Sequence, residues 1–272
     1  MNINFAKAVA SGNDFVIVSN MDGKLKEKII DFSDFARSIC KRKYSVGADG
    51  VLVLEKSKTA NFKMRIFNPD GSEVDMCGNG IRCSAFYAHT KRVSSSPMTI
   101  ETKAGKLNVE ADRNMIKIKM TPPKDIKLNQ NIGTGKEIVS IHTINTGVPH
   151  VVHFVDNIAR YPVKEMGSKI RYHKLFEPDG TNADFVEVID RSTLIVRTYE
   201  RGVEDETLAC GTGVVASSII SHLIKETKEP ITVITKSKES LRVNFKRERN
   251  NFSDVYLEGK ADIVFEGGIN YV

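Results

Sequence analysis

The chain has 272 residues, of which 40% are hydrophobic and 27% are charged, and it carries a formal net charge of +6. These proportions are typical of a globular protein with room for one large domain or two moderate ones, and they exclude a disordered or fibrous chain. No stretch approaches the roughly 20 apolar residues of a membrane-spanning helix. The basic residues are scattered, without Trp or a nucleic-acid-binding motif, which argues against nucleic acid as a partner.

The N-terminal segment does not resemble a secretory signal. Asn13 and Asp14 interrupt the stretch in which a signal peptide needs a continuous apolar core, so a cytoplasmic protein is expected. Four cysteines are too few for a disulfide framework and stay reduced in that compartment. Because there is no Cys-x-x-Cys pair and no histidine at zinc-finger spacing, we expect no bound metal.

Three segments of the first half recur in the same order 133 to 135 residues further on. The first pair consists of turns leading into strands, the second of alternating strands, and the third of Cys-Gly-x-Gly sequences followed by helical patterns. The pairs are residues 11–18 with 146–155, 47–55 with 182–190, and 77–88 with 210–223. Three ordered matches at one spacing predict an internal duplication.

The predicted fold is α+β, with two pseudosymmetric halves that are each a curved antiparallel sheet around a central helix. Small and apolar residues after each Cys-Gly-x-Gly sequence indicate a buried helix, and the alternating segments beyond Ile231 indicate antiparallel strands. A break at Pro122 and Pro123 divides the chain into residues 1–120 and 121–262, with the active site expected in the cleft between them. The pattern leaves open whether residues 263–272 return to the first half.

Cys77 and Cys210 each precede a predicted helix. Unpaired backbone N–H groups and the helix dipole lower the pKa of a thiol there, which predicts a thiolate near neutral pH. The glycines let a carboxylate approach the same N–H groups. Two such helix starts on opposite sides of an α-carbon favour a racemase, with one cysteine as base and the other as acid. Cys40 and Cys83 lack this context and are predicted to be structural.

The stretches FNPDGSEVDMCGNGIRC, from Phe67 to Cys83, and YERGVEDETLACGTG, from Tyr199 to Gly213, resemble the diaminopimelate epimerase family. The resemblance spans nearly the whole chain. It implies interconversion of LL-2,6-diaminopimelate and meso-2,6-diaminopimelate, in lysine and peptidoglycan precursor biosynthesis. It also implies a homodimer that works without pyridoxal phosphate, metal or any other cofactor.

The same resemblance implies a role for each matching residue. Cys77 and Cys210 match the catalytic pair, and His150 and Glu200 match positions that tune the pKa values of the cysteines. Arg201 suits a distal carboxylate and Glu200 a distal ammonium group. The matching substrate-binding positions are Asn13, Asn68, Gly78, Asn79, Asn182, Glu200, Arg201, Gly211 and Thr212.

Two positions depart from the family pattern. Val148 stands where many members have Asn, so the side-chain amide contact of that Asn is lost. Gly50 stands where some members have Gln. Both changes predict looser or rearranged anchoring of the distal end of the substrate.

Three other functions remain open from the sequence. A proline or hydroxyproline racemase, or a phenazine-biosynthesis-type isomerase, would use the same duplicated fold. A thiol redox protein would use Cys77 and Cys210 as a disulfide pair and would exchange no α-proton. A pure binding module would need no paired bases.

Overall fold

The computed structural model describes residues 2–25, 29, 31–135, 137–249 and 251–271. Met1 and Val272, which end two of the predicted ranges, lie outside these described residues. The chain divides into two compact units. Unit 1 contains residues 1–118 and 259–272, and unit 2 contains residues 119–258.

Unit 1 is built on a sheet in which the last strand of the chain pairs with the first. The strands pair in the order β18, β1, β2, β3, β4, β6, β7, β8, and the short β5 also pairs with β4. Their bounds are β1 Asn2–Ala10, β2 Asn13–Asn20, β3 Gly50–Glu55, β4 Phe62–Phe67, β5 Glu73–Val74, β6 Met98–Thr102, β7 Gly105–Asp112, β8 Met115–Lys119 and β18 Asp262–Asn270.

Unit 2 repeats this arrangement. Its strands pair in the order β9, β10, β11, β12, β13, β15, β16, β17, and the short β14 also pairs with β13. Their bounds are β9 Lys124–Gly133, β10 Ile138–Asn145, β11 Pro149–Phe154, β12 Asn182–Val188, β13 Thr193–Glu200, β14 Asp205–Thr207, β15 Ile231–Ile234, β16 Ser240–Glu248 and β17 Asn251–Lys260.

The order of parallel and antiparallel pairs is the same in both units. β2 and β3 are parallel, as are β4 and β6, and the equivalent pairs β11 with β12 and β13 with β15 are parallel too. The predicted α+β fold of two duplicated halves is confirmed. Each sheet is nevertheless mixed rather than purely antiparallel. In these four pairs a long connection that contains a helix brings the chain back to the end of the sheet at which the first strand of the pair began.

One helix lies at the centre of each unit. Helix α2, Gly78–Thr90, contacts seven strands of unit 1, and helix α4, Gly211–Lys225, contacts six strands of unit 2. Nine residues of α4, from Gly213 to Ser221, are consecutive and buried. A helix that is small and apolar on all sides fits such an enclosed position, as the sequence predicted.

Each unit also has a peripheral amphipathic helix that the sequence analysis missed. Helix α1, Phe32–Ile39, and helix α3, Val163–Arg171, each bury four residues at the spacing of one helical face. The side chain of Asp31 caps α1 by accepting a hydrogen bond from the Ser33 backbone N–H. These two patterns were legible in the sequence.

Within the described residues, no helix combines the length and the apolar character needed to cross a membrane.

Candidate functional site

Cys77 is the N-cap of helix α2, where its extended backbone (φ −146°, ψ 119°) turns the chain into the helix. Its Sγ accepts a hydrogen bond from the Gly80 backbone N–H at 3.5 Å, and its carbonyl accepts one from Ile81. The thiol is half-buried. The sulfur therefore lies among the first N–H groups of the helix, where a negative charge is stabilised.

Asn79 links the start of α2 to the first strands of unit 1. Its amide donates to Asn13 Oδ1 at 2.5 Å, and the Asn13 amide donates in turn to Asp49 Oδ2 at 3.1 Å. Behind Asn79 lies Arg82, whose side chain is almost fully buried. Arg82 donates to the side-chain oxygen of Asn79 and to Ser11 Oγ. Two of the predicted substrate-binding residues, Asn13 and Asn79, are thus in direct contact and held in place by buried neighbours.

Asp14 is the most strongly perturbed carboxylate in this region. Its Oδ2 lies 2.7 Å from Lys7 Nζ, and both of its oxygens accept hydrogen bonds from Arg42. Burial alone would raise the pKa of Asp14, but hydrogen bonds from the two cations and their positive charges outweigh it and lower the pKa to about 2. Arg42 also bonds Asp49, so this ion cluster anchors the strand that orients Asn13.

Cys210 is the N-cap of helix α4, at the position equivalent to Cys77. It is buried, and its Sγ lies 3.4 Å from Thr212 Oγ1. Burial raises the pKa of the Cys210 thiol well above its ordinary value, and the negative charges of Glu200 and Asp184 raise it further. Desolvation therefore opposes the thiolate that the helix start predicts for Cys210.

His150 connects Cys210 to a buried carboxylate. Its Nδ1 lies 2.7 Å from Asp184 Oδ2, and its Nε2 lies 3.0 Å from Thr212 Oγ1. The other oxygen of Asp184 accepts a hydrogen bond from Thr198 Oγ1 at 2.7 Å. Four side chains from three strands and one helix therefore form a continuous chain of hydrogen bonds that ends at the Cys210 sulfur.

Glu200 ends strand β13 close enough to Cys210 to influence it electrostatically. Burial raises the pKa of Glu200, while the nearby Thr207 side chain and the interaction with His150 oppose that rise. The two residues predicted to tune a cysteine, His150 and Glu200, are both brought to Cys210 within unit 2.

The remaining predicted substrate-binding residues have protein partners. Asn182 accepts a hydrogen bond from the Arg201 backbone N–H at 2.9 Å and donates one to the Pro149 carbonyl at 2.9 Å. Arg201 Nη1 reaches the Asp179 carbonyl at 3.3 Å. Asn182 thus joins Arg201 to the strand that carries His150. An amide and a guanidinium keep further donors beyond these contacts.

Asn68 occupies the first position of a tight turn. Its carbonyl accepts a hydrogen bond from the Gly71 N–H, and its side-chain amide donates to Ser72 Oγ at 3.1 Å. Gly71 has φ +84°, a value that favours glycine. Asn68 therefore stabilises its own turn while remaining half-exposed.

The other positions singled out from the sequence lie at the two helix starts, at Gly50 and at Val148. Gly78, Gly211 and Thr212 form the first turns of the two central helices and are half-exposed. Gly50 is buried, and a Cβ there would lie 2.9 Å from the Phe67 carbonyl oxygen, so this backbone leaves no room for a Gln side chain. Val148 is half-buried and has no side-chain amide to offer.

Cys40 and Cys83 are both buried. Burial raises the pKa of Cys40 to about 11. Cys83 lies in the middle of α2, away from the N-terminal turn. Neither thiol has the half-exposed helix start of Cys77.

Three charged groups behind the predicted site were not expected from the sequence: the buried Arg82 and Asp184, and the partly exposed Asp49. A signal for two of them was present, since Asp49 and Asp184 occupy equivalent positions of the GAD and NAD segments. Among the described residues, no group of three or more His, Cys, Asp and Glu side chains could hold a metal ion.

Solved structures share this fold. A phenazine biosynthesis protein of the PhzF family from Bacillus anthracis matches with a TM-score of 0.72 at 19% identity, covering 100% of both chains. A probable proline racemase from Agrobacterium radiobacter K84 matches with a TM-score of 0.70 at 12% identity, covering 99% of this chain and 93% of the other. The chain therefore has the duplicated α+β fold of the proline racemase and PhzF proteins.

Sequence comparison identifies the family. The model of the diaminopimelate epimerase family matches residues 5–126 and 142–264. Diaminopimelate epimerases of Aquifex aeolicus and Methanocella arvoryzae are each 39% identical to this chain, over 98% of its length and 97% of theirs. The chain belongs to the diaminopimelate epimerase family, and it is an isomerase.

Proposed function

We propose that this enzyme interconverts LL-2,6-diaminopimelate and meso-2,6-diaminopimelate without a cofactor, with Cys77 and Cys210 as its two bases. The observation that carries the proposal is the equivalence of the two cysteines. Each is the N-cap of the central helix of a duplicated unit and opens a Cys-Gly-x-Gly turn. Two-base inversion needs two such groups, whereas a structural cysteine has no reason to recur at both helix starts.

The first turns of the helices supply the electrostatic part of the mechanism. The backbone N–H groups of Gly78 and Asn79, and those of Gly211 and Thr212, can donate to the carboxylate at the reacting centre. Removal of the α-proton turns that carboxylate into a planar enediolate with more negative charge. Fixed N–H donors stabilise this intermediate more than the substrate, which lowers the barrier.

The two thiols are suited to different resting states. Cys210 is buried and has a raised pKa, which supports a protonated thiol that donates a proton to one face of the intermediate. Cys77 is half-exposed and accepts an N–H hydrogen bond at its sulfur, which supports a thiolate that removes the α-proton from the other face. In the reverse direction the two cysteines exchange roles.

The distal end of diaminopimelate carries a second carboxylate and a second ammonium group. Arg201 offers a bidentate donor for the first, and Glu200 with Asn182 offers acceptors for the second. We further propose that the reaction serves lysine and peptidoglycan precursor biosynthesis in the cytoplasm. A homodimer also remains a prediction, which sedimentation of the purified protein would test.

The deciding experiment is incubation with LL-diaminopimelate in deuterium oxide under reducing conditions. We expect deuterium at one α-carbon and appearance of the meso isomer, both detected by NMR and chiral chromatography. Proline and hydroxyproline serve as comparison substrates and should exchange no α-proton. Exchange with proline but not with diaminopimelate would replace the proposal by the racemase alternative.

The cysteine assignment is tested by three alanine variants. Cys77→Ala and Cys210→Ala should each abolish epimerisation, because either one removes the acid or the base of every turnover. Cys83→Ala is the matched control, since it removes a buried thiol from the same helix that Cys77 caps. A comparable loss of activity in the Cys83→Ala variant, with its fold intact, would contradict the assignment.

A further inference from the structure

A buried thiol that must act as a base needs a place to send its own proton. Cys210 is 8% exposed and has a raised pKa, so direct loss of its proton to water is unfavourable. When the resting enzyme enters the direction in which Cys210 removes the α-proton, the thiol must nevertheless be deprotonated before the reaction. The hydrogen-bonded chain behind it supplies an internal acceptor.

The direction of every hydrogen bond in that chain follows from Asp184. An ionised carboxylate only accepts, so His150 must donate its Nδ1–H to Asp184 Oδ2. The neutral imidazole then has an acceptor at Nε2, which takes the hydroxyl proton of Thr212. Since that hydroxyl has one proton, its oxygen accepts the S–H of Cys210.

Two further observations support an ionised Asp184. Its second oxygen accepts a hydrogen bond from Thr198. It also lies against the N-terminal turn of α4, because a Cβ built on Gly213 would be 2.3 Å from its Oδ1. The positive end of a helix dipole stabilises a carboxylate at this place.

We infer that Asp184 is a positioning residue that holds His150 so that its Nε2 receives the Cys210 thiol proton through the Thr212 hydroxyl. The S–H proton moves to Thr212 Oγ1 while the Thr212 proton moves to His150. This leaves a thiolate and an imidazolium, and no proton enters or leaves the protein. The imidazolium is stabilised by the Asp184 carboxylate.

The first unit has the same framework without the titrating group. Asp49 is equivalent to Asp184, and Asn79 is equivalent to Thr212. In unit 1 the side chain of Asn13 links these two residues by hydrogen bonds. An amide holds its neighbours in place but takes up no proton near neutral pH. The proton relay is therefore specific to Cys210, and Phe15 stands at the position equivalent to His150.

Within the described part of the chain, the charged and titratable groups around Cys210 are Asp184 and Glu200, with His150 beyond Thr212. The charges of Asp184 and Glu200 act on the thiol through space and raise its pKa. Replacing Asp184 by Asn would then make Cys210 more acidic if electrostatics alone operated. Loss of the relay would instead make Cys210 less acidic. The direction in which the pKa of Cys210 changes therefore distinguishes the relay from a purely electrostatic effect.

The test measures alkylation of Cys210 by iodoacetamide between pH 6 and 10, in the full-length protein, with the modified peptide quantified by mass spectrometry. We expect Asp184→Asn and Thr212→Val to slow alkylation near neutral pH about tenfold, a rise of about one unit in the apparent pKa. Thr212→Ser, which keeps the hydroxyl, should restore the rate. Ser218→Ala is the control, since it removes a buried hydroxyl of the same helix, and this hydroxyl donates to the Val214 carbonyl rather than to the chain behind Cys210.

An unchanged or faster reaction in Asp184→Asn would overturn the relay, because loss of the Thr212 hydrogen bond raises the pKa of Cys210 even without a relay. If Asp184→Asn does not fold, His150→Phe takes its place, since Phe15 stands at the equivalent position of unit 1, and an unchanged or faster reaction there would likewise overturn the relay. The effect on turnover rests on the proposed function, and there Asp184→Asn should lower kcat more than it changes KM. Absence of epimerase activity in the wild-type protein would contradict the proposed function. The alkylation measurement would still test the relay, because it does not depend on that activity.

Discussion

Replacing Gly213 by Ala would place a methyl group against the carboxylate of Asp184. The new Cβ would lie 2.3 Å from Oδ1, 3.1 Å from Cγ and 3.3 Å from Oδ2. An ordinary contact between these atoms is about 3.4 Å, so the carboxylate or the helix must move by about 1 Å. Asp184 is fully buried, so it has no solvent-filled space into which to move.

A shift of that size breaks hydrogen bonds that are now short. The bonds of Asp184 to His150 and to Thr198 are both 2.7 Å long and would approach the limit of about 3.5 Å. Each hydrogen bond to a charged group contributes about 1.5–3 kcal/mol, while Ala in place of Gly returns about 1 kcal/mol of helix propensity. We expect a net loss of about 2–5 kcal/mol, seen as a lower melting temperature.

The matched control is Gly80→Ala, at the equivalent position of unit 1. A Cβ there would meet Leu52 Cδ2 at 3.1 Å, the far end of a flexible side chain, and Cys77 Cβ at 3.6 Å. We expect a destabilisation of less than about 1 kcal/mol, because Leu52 can rotate away. Both variants should be followed by urea denaturation. Equal stability of wild type and Gly213→Ala, or a larger loss in Gly80→Ala, would refute the role given to the Asp184 contact.

Two further predictions concern stability. The folded-state pKa of Asp14, about 2, lies below its ordinary value of 3.8, so the interactions with Lys7 and Arg42 stabilise the protein above pH 4 and are lost as the pH falls through 2. After allowance for solvent screening, these interactions contribute about 1 kcal/mol to the free energy of unfolding. In denaturant titrations, the stability difference between wild type and Asp14→Asn should shrink between pH 4 and pH 2. A constant difference would contradict this prediction. Gly167→Ala would place a Cβ 2.3 Å from the Cβ of buried Tyr199, which cannot rotate away, so we expect a loss of about 1–3 kcal/mol despite better helix propensity. A calorimetric melting temperature equal to that of wild type would show that helix α3 can move off the sheet.

The central features of the fold could be predicted because they are encoded locally. Periodicity and the Cys-Gly-x-Gly turns marked both central helices, and recurrence at 133 to 135 residues marked the duplication. The parallel pairs could not be predicted in the same way. Strand direction depends on where a connection returns to the sheet, and alternation of apolar residues is similar in both cases.

The candidate site likewise contains residues that local sequence motifs predicted and a residue that they did not. Cys77, Cys210, Asn79 and Thr212 were identified because they belong to short motifs in the sequence. Asp184 was not, because it comes from a strand that meets the helix start only in the folded unit.

The sequence by itself determined that this protein is a duplicated α+β isomerase with a cysteine at the start of each central helix. Only the tertiary structure decided which groups surround Cys210 and so shift the pKa of its thiol. The helix start favours a thiolate, but burial and the charges of Glu200 and Asp184 favour the thiol, and these two influences depend on contacts between distant segments. Burial and long-range packing set the free energy of a charge, and a linear pattern of residues does not contain them.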